Sequence, residues 1–227
     1  MQVAAALLWV PRLEPGWHTG SIRLQIIERL ARLLKIFMNK KIIVLSASPE
    51  KRGNTAILVE WFAEGARSNG AQVEIVETAL LKYKSTGCLS CRACRKSKKY
   101  ECVIDDGASP VLVKMAEADV IVMATPLYFY GPSAQLKLVM DRMFSLYKWD
   151  NKANTVETPL ENKLFMLIAS AYEDIGLDAL EKPFKLTADY SGMRFESFLV
   201  PNAGESGEIG KISGIREKAI TFGKKAA

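Results

Sequence analysis

All four cysteines of the 227-residue chain fall between Cys88 and Cys102, in the pattern Cys88-x2-Cys91-x2-Cys94-x7-Cys102. Thiolates are soft ligands, and four of them suit a tetrahedral zinc ion or a [4Fe-4S] cluster. Structural zinc usually takes two C-x2-C knuckles separated by a longer loop. Three cysteines at successive x2 spacing, with a fourth farther along, wrap a cubane, so the spacing favours a cluster over zinc or free thiols. Val103 rather than proline follows Cys102 and the chain has no second set of cysteines, which excludes a two-cluster arrangement. Arg92, Arg95, Lys96, Lys98 and Lys99 crowd the same segment. They would offset the negative charge of four thiolates around a cubane, or dock an acidic partner such as a ferredoxin. Asp105 and Asp106 are read as caps for the next helix, because carboxylates are hard donors.

Two other stretches carry chemistry. Ser46-Ala47-Ser48-Pro49-Glu50-Lys51-Arg52-Gly53-Asn54-Thr55 combines hydroxyls, a proline turn, a glycine and the free amides of a helix start, with cations at its rim. Such a turn binds a phosphate dianion, and it also serves as an ordinary capped strand-to-helix turn. Neither G-x-x-x-x-G-K-[ST] nor G-x-G-x-x-G is present, which argues against a nucleotide-hydrolysing loop and a dinucleotide fold. Thr125-Pro126-Leu127-Tyr128-Phe129-Tyr130-Gly131-Pro132-Ser133 places three consecutive aromatics in a loop. A flat, apolar ring with hydrogen-bonding edges would use such a wall.

The elements that position these stretches alternate. Lys41–Ser46 is a short β-branched run of the kind that forms a central strand covered on both faces. A helix capped by Asn54 or Thr55 follows, ending near Asn69-Gly70, and then a second strand over Gln72–Glu77. After the cysteines, residues 82–106, the pattern predicts a helix opening at Ser109-Pro110 and running through Ala118. It then predicts a strand over Asp119–Thr125 and a helix marked by Leu136, Val139, Met140, Met143, Phe144 and Tyr147. A strand over Leu164–Ser170, a helix over Leu177–Tyr190, a strand over Arg194–Val200 and a last helix over Ile212–Phe222 complete the chain. Five alternations predict an α/β fold, one doubly wound five-stranded parallel sheet with helices on both faces. Ligands of such sheets sit beyond the carboxyl ends of the strands, where the phosphate and aromatic loops fall.

The serine loop and the motif T-P-x-Y-x-x-x-x-S-A-Q-L-K-x-x-x-D-R, ending at Asp141-Arg142, resemble the flavodoxin-like NADPH-dependent FMN reductase family over residues 40 to about 220. The compact cysteine motif resembles that family's iron-sulfur flavoprotein branch. The resemblance implies that Ser46, Ser48, Gly53, Asn54 and Thr55 hold the FMN phosphate, with Lys51 or Arg52 as its cation, since Glu50 stands where many relatives carry arginine. It implies that Pro126, Leu127, Tyr128, Phe129, Tyr130 and Gly131 line the flavin, with Ser170 and Tyr172 as a third contact. Cys88, Cys91, Cys94 and Cys102 would hold a [4Fe-4S] cluster that exchanges electrons with FMN for a small-molecule acceptor. A reduced ferredoxin or NAD(P)H would be the donor, and the assembly a homodimer or homotetramer. Two alternatives are an NAD(P)H-dependent FMN or quinone reductase without a cluster, and a non-enzymatic flavodoxin-like carrier or FMN-binding sensor.

Composition narrows the field. At 49% hydrophobic and 25% charged the chain reads as globular, and a net charge of +6 is modest beside nucleic-acid binders. The sole histidine, His18, lies in residues 1–37, so the domain has none for a catalytic triad or an imidazole-ligated metal. Residues 1–37 read as an N-terminal extension with an amphipathic helix over Ser21–Phe37, inessential or a misassigned start, because Met38 directly precedes the first strand. The domain is then 38–227. No apolar run predicts a membrane span, and clustered cysteines point to a reducing, cytoplasmic setting.

Overall fold

A computed structural model describes residues 39–150 and 152–227. The amphipathic helix expected over Ser21–Phe37 and His18 lie outside the described residues. Strands β1 (Lys41–Ser46), β2 (Gln72–Glu77), β3 (Val120–Pro126), β6 (Leu164–Ser170) and β7 (Arg194–Val200) form one sheet in the order β2-β1-β3-β6-β7, with every pairing parallel. Helices α1 (Asn54–Ser68), α2 (Ala108–Glu117), α3 (Ala134–Met140), α4 (Leu177–Ser191) and α5 (Ile215–Ala226) cover it. Burial follows the order. β1, β3 and β6 are buried almost throughout, while β2 and β7 alternate as half-covered edges do.

The period of two in each strand divides the core. Ile42, Val44, Val120, Val122, Met166 and Ile168 pack under α1 and α5. Ile43, Leu45, Ile121, Met123, Phe165 and Leu167 pack under α2, α3 and α4. Successive crossovers therefore leave β1 and β3 in opposite directions, and a crevice opens at the carboxyl ends of those two neighbours.

Several element ends differ from the sequence expectation. Gly53, not Asn54 or Thr55, is the N-cap residue of α1, because the Asn54 amide is engaged elsewhere. α2 opens at Ala108, one residue before Ser109, because Asp106 accepts the Ala108 N–H at 3.0 Å while Ser109 Oγ donates to the Cys102 carbonyl at 2.7 Å. α5 starts at Ile215 after a 3₁₀ turn, Glu208–Lys211, and a left-handed Gly214. The helix expected through Tyr147 is α-helical only to Met140 and tightens to 3₁₀ over Asp141–Leu146. There the buried residues are Arg142, Met143, Ser145 and Leu146, a period of three that matches three residues per turn. An unexpected hairpin follows, β4 (Lys148–Asp150) with β5 (Thr155–Glu157), outside the main sheet. Among the described residues no helix is long and apolar enough to cross a membrane.

α1 and α5 meet backbone to backbone. A Cβ on Gly65 would overlap the Ile220 carbonyl, and one on Gly223 the Phe62 carbonyl. Gly65→Ala in an open helix would gain about 0.5–1 kcal/mol. Here urea denaturation is expected to show a loss of about 1–3 kcal/mol, as overpacking forces the two helices apart.

Candidate functional site

The loops after β1 and β3 are tied to one another at the crevice. Ser133 Oγ donates to the Ala47 carbonyl at 2.8 Å, and the Ser133 N–H donates to Thr125 Oγ1 at 2.9 Å. In the first loop Ser48 Oγ both donates to the Glu50 carbonyl, at 3.0 Å, and accepts its N–H, at 3.2 Å. The Gly53 N–H closes the turn on the Glu50 carbonyl at 3.1 Å. A Cβ on Gly53 would press on Ser48 Oγ and that carbonyl, so the tightness of the turn requires glycine. No side chain caps the first turn of α1, whose amides open toward this loop.

The expected phosphate residues, together with Ser170 of the expected third contact, fall into two groups. Ser48, Arg52 and Gly53 form the loop itself, with Arg52 exposed. Asn54, Thr55, Ser46 and Ser170 sit behind it. Asn54 Nδ2 donates to the carbonyls of Ala203, Gly204 and Glu205 at 3.0–3.2 Å, and its Oδ1 accepts the Ile209 N–H at 3.0 Å. That side chain pins the loop after β7 to the start of α1. Thr55 and Ser170 share a buried hydroxyl contact of 2.9 Å, and Ser46 is buried in β1.

The aromatic loop is a two-residue hairpin. The Tyr128 and Gly131 amides exchange hydrogen bonds of 3.0 Å with each other's carbonyls, and both central residues, Phe129 (φ 46°) and Tyr130 (φ 64°), are left-handed. Non-glycine residues held there cost about 1–3 kcal/mol each, and such strain gathers at ligand clamps. Phe129 is 100% exposed, and the Tyr130 ring lies against Gly176, where a Cβ would overlap it. Leu127, Tyr128, Phe129, Tyr130 and Tyr172 line a cleft of about 510 Å³ together with Ala171, Glu173 and Ile175. Small-molecule sites span about 300–1,000 Å³. Glu173 and Ile175 carried no signal in the sequence beyond their place after β6.

At the cysteines, Ser90 (φ 53°) and Arg92 (φ 57°) are left-handed, one between each successive pair of the first three thiols. Each reversal turns the chain back, and Cys88, Cys91, Cys94 and Cys102 line a single pocket of about 20 Å³, with Cys94 buried and Cys88 and Cys91 exposed. Burial pushes the Cys94 thiol up, neighbouring Lys148 opposes this, and the other three cysteines add to the rise. A bound cationic centre would relieve that cost of ionising Cys94. Among the described residues, no three of His, Cys, Asp and Glu are drawn to metal-ligating distance of one point. Lys148 Nζ donates to the Cys94 carbonyl at 2.8 Å, and Arg95 stacks over Trp149 at 4.5 Å, so part of the basic segment is structural.

Arg142 lines the same pocket, and the sequence showed it only as the last letter of a motif. Its side chain and that of Asp106 are 0% exposed. Nη1 donates to both Asp106 oxygens at 2.8 Å, and Nη2 to the Ile104 carbonyl at 3.0 Å. Burial alone would raise the Asp106 pKa, but hydrogen bonds from the Lys84 amide, the guanidinium and the Ala108 amide hold it below the usual carboxylate range. Burial opposes the Arg142 charge, and the hydrogen bond to Asp106 outweighs it. Burial and Asp106 push the Tyr83 phenol up to about 12, which keeps it a donor to the Thr78 and Gln135 carbonyls. Among the described residues, Arg142 Nε and Ser145 Oγ are the buried side-chain polar atoms without a partner, and both residues line the cysteine pocket. Soft donors, left-handed reversals and two waiting hydrogen-bond donors fit a four-sulfur group.

Fold and site define a flavodoxin-like α/β protein with a thiol-lined pocket beside its ligand crevice. Its sequence matches the profile of the NADPH-dependent FMN reductase family over residues 40–196, and the chain belongs to that family. An iron-sulfur flavoprotein of Methanocaldococcus jannaschii is 38% identical over 102 residues, 45% of this chain and 51% of that protein. One from Methanosarcina thermophila is 34% identical over 102 residues, again 45% and 51% of the two chains. The chain thus spans about half the length of the curated relatives it matches. Among solved structures, an NAD(P)H:quinone oxidoreductase from Methanothermobacter marburgensis superposes with a TM-score of 0.57 at 15% identity, over 83% of this chain and 97% of that one. An FMN-dependent NADH-azoreductase from Bacillus anthracis, solved with FMN, gives 0.62 at 12% identity, over 82% and 100%. At these identities the structures establish the shared fold.

Removing one member of a buried ion pair strands the other, so Asp106→Ala is expected to cost about 3–5 kcal/mol in urea denaturation. Because the Asp106 pKa is lowered on folding, its stabilisation is complete above the unfolded value of about 3.9. It is lost as pH falls through the lower folded value. Urea midpoints measured from pH 6 downward should therefore drop below about pH 4 in the wild type, and less steeply in Asp106→Asn.

Proposed function

We propose that this protein is a flavin-dependent oxidoreductase of iron-sulfur flavoprotein type, working in a cytoplasmic setting. FMN would lie over the carboxyl ends of β1 and β3, and Cys88, Cys91, Cys94 and Cys102 would hold a [4Fe-4S] cluster. The observation that carries the reading is the convergence of four thiols and two unpartnered buried donors on one pocket. The names of the matched relatives support it.

When bound, FMN supplies hydride and single-electron chemistry and the cluster single-electron chemistry. Ser48 and the first-turn amides of α1 would grip the phosphate, with Arg52 at the rim and Asn54 bracing the loop from behind. Leu127, Tyr128 and Tyr130 would wall the ring and exclude water from one side, while Tyr172 faces them across the cleft. Ser133, in the aromatic loop, caps α3, and the helix's 3₁₀ extension lines the thiol pocket. Nine residues from Ser133 to Arg142 rise about 13 Å at 1.5 Å each, so one rigid segment separates the two sites by a short step. The electron donor is a reduced ferredoxin or NAD(P)H, the acceptor a small molecule, and the assembly a homodimer or homotetramer. A second reading, an NAD(P)H-dependent FMN or quinone reductase without a cluster, is favoured by the open cleft at the fully exposed Phe129, which leaves room for a second flat ring.

Anaerobic purification with iron, acid-labile sulfide and flavin counts decides between them, with about four iron, four sulfide and one FMN per chain expected. Cys94→Ala should abolish the broad visible absorbance and most of the iron while leaving the flavin bands. Full iron retention would refute the ligand assignment. Ser48→Ala should weaken FMN binding, read by quenching of flavin fluorescence, by about 1.5–3 kcal/mol for a hydrogen bond to a charged group. Unchanged affinity would place the phosphate elsewhere.

A further inference from the structure

Arg142 and Ser145 do something that neither the family nor the cysteines explain. The 3₁₀ turn over Asp141–Leu146 has three residues per turn, so residues three apart stand one above the other. Arg142 and Ser145 therefore share one row, and both line the pocket of the four thiols. Met143 and Leu146 share the next row and are buried in the apolar core.

The guanidinium cannot swing. Nη1 is held on both Asp106 oxygens and Nη2 on the Ile104 carbonyl, which fixes the plane of the fork and with it the Nε–H. Asp106 is fixed in turn by the Lys84 and Ala108 amides, at 3.0 Å each. Yet Nε has no partner, and neither has Ser145 Oγ. A buried donor left unpaired costs about 1–3 kcal/mol, and more when charged. Two such donors in one row line the same pocket as the four sulfurs. Nη2 sits on the Ile104 carbonyl, two residues from Cys102, which puts the guanidinium on the Cys102 side of the thiols.

Resting on the cluster reading above, we infer that the Nε–H of Arg142 and the Oγ–H of Ser145 donate to sulfur on the Cys102 side of the bound cluster and raise its reduction potential. A hydrogen bond to sulfur stabilises the more negative, reduced state more than the oxidised one. Arg142 is the positioned cationic donor and Ser145 the neutral one. The Asp106 carboxylate acts through Arg142, by keeping Nε aimed at the pocket. Because the pair Arg142–Asp106 cancels much of its own charge, the directed N–H, rather than net charge, is the operative feature.

The test is an anaerobic redox titration of the intact holoprotein, followed by optical absorbance and electron paramagnetic resonance, on wild type, Ser145→Ala and Arg142→Lys. Ser145→Ala removes one hydroxyl that has no protein partner and leaves the ion pair intact, so it keeps the test open even where Arg142→Lys fails to fold. Iron, sulfide and FMN content of Ser145→Ala should equal wild type, its midpoint potential should fall, and its resonance line shape should change. Loss of one ordinary hydrogen bond would lower the reduced-to-oxidised ratio at fixed poise by about two- to tenfold. Arg142→Lys should fall further, because it keeps the charge but loses the directed Nε–H. Wild type without iron and sulfide would sink the cluster reading and this inference with it. Wild type with a full cluster and an unchanged potential in both variants would overturn this inference alone. So would loss of iron from a folded Ser145→Ala, which would make the hydroxyl a structural support.

Discussion

A guanidinium shut away from water has to be met on the spot, and in this protein that requirement organises one end of the molecule. Arg142 reaches from the turn after α3 to Asp106, at the mouth of α2, and to the Ile104 carbonyl beside Cys102. Two chain segments, residues 104–106 and the turn after α3, meet at one ion pair whose side chains have no solvent access. Desolvating both charges is expensive, and the pair stands because hydrogen bonds from the Lys84 and Ala108 amides satisfy the remaining carboxylate lone pairs. Such pairs seldom add net stability over an apolar packing, so geometry is the more natural reason for this one. It holds the cysteine segment, which has little regular structure of its own, in a defined place against the sheet.

The crevice at β1 and β3 is governed by a different constraint, the divergence of the crossovers. Where they part, the loops are held by each other. Ser133 on Ala47, Thr125 on Ser133 and Asn54 on the loop after β7 provide those ties. With the scaffold fixed in this way, the tip Phe129-Tyr130 can be kept in a left-handed turn that it would not adopt unaided. Rigid supports under a strained, exposed aromatic tip are what preorganisation of a flat-ring site requires. α3 then runs from that tip to the thiols, so two sites of different chemistry share one short segment of backbone.

Much of the site was legible because its residue types are restrictive. Cysteine spacing marks a ligand set without any knowledge of the fold, and a serine-proline-glycine turn after a buried strand marks a phosphate-sized loop. What could not be read was commitment. Asn54 looked like a ligand, but its amide has its three acceptors 149 to 151 residues away. Thr55 and Ser170 looked free, and they satisfy each other in the interior. Arg142 showed only as the end of a motif, and the hairpin β4–β5 gave no signal because three-residue strands are too short to show a period.

The order of elements, the five-stranded parallel sheet and the clustering of the cysteines follow from the chain alone, since hydrophobic period and residue spacing are local properties carried by neighbouring residues. Which polar groups are left without partners is not local. It depends on who else arrives at the same place, and only the packing of the cysteine loop, α2 and the turn after α3 decides that Arg142 Nε and Ser145 Oγ face the thiols with nothing to bind. Hydrogen-bond capacity is spent in three dimensions, so its remainder, where a ligand's chemistry enters, appears only in the folded protein.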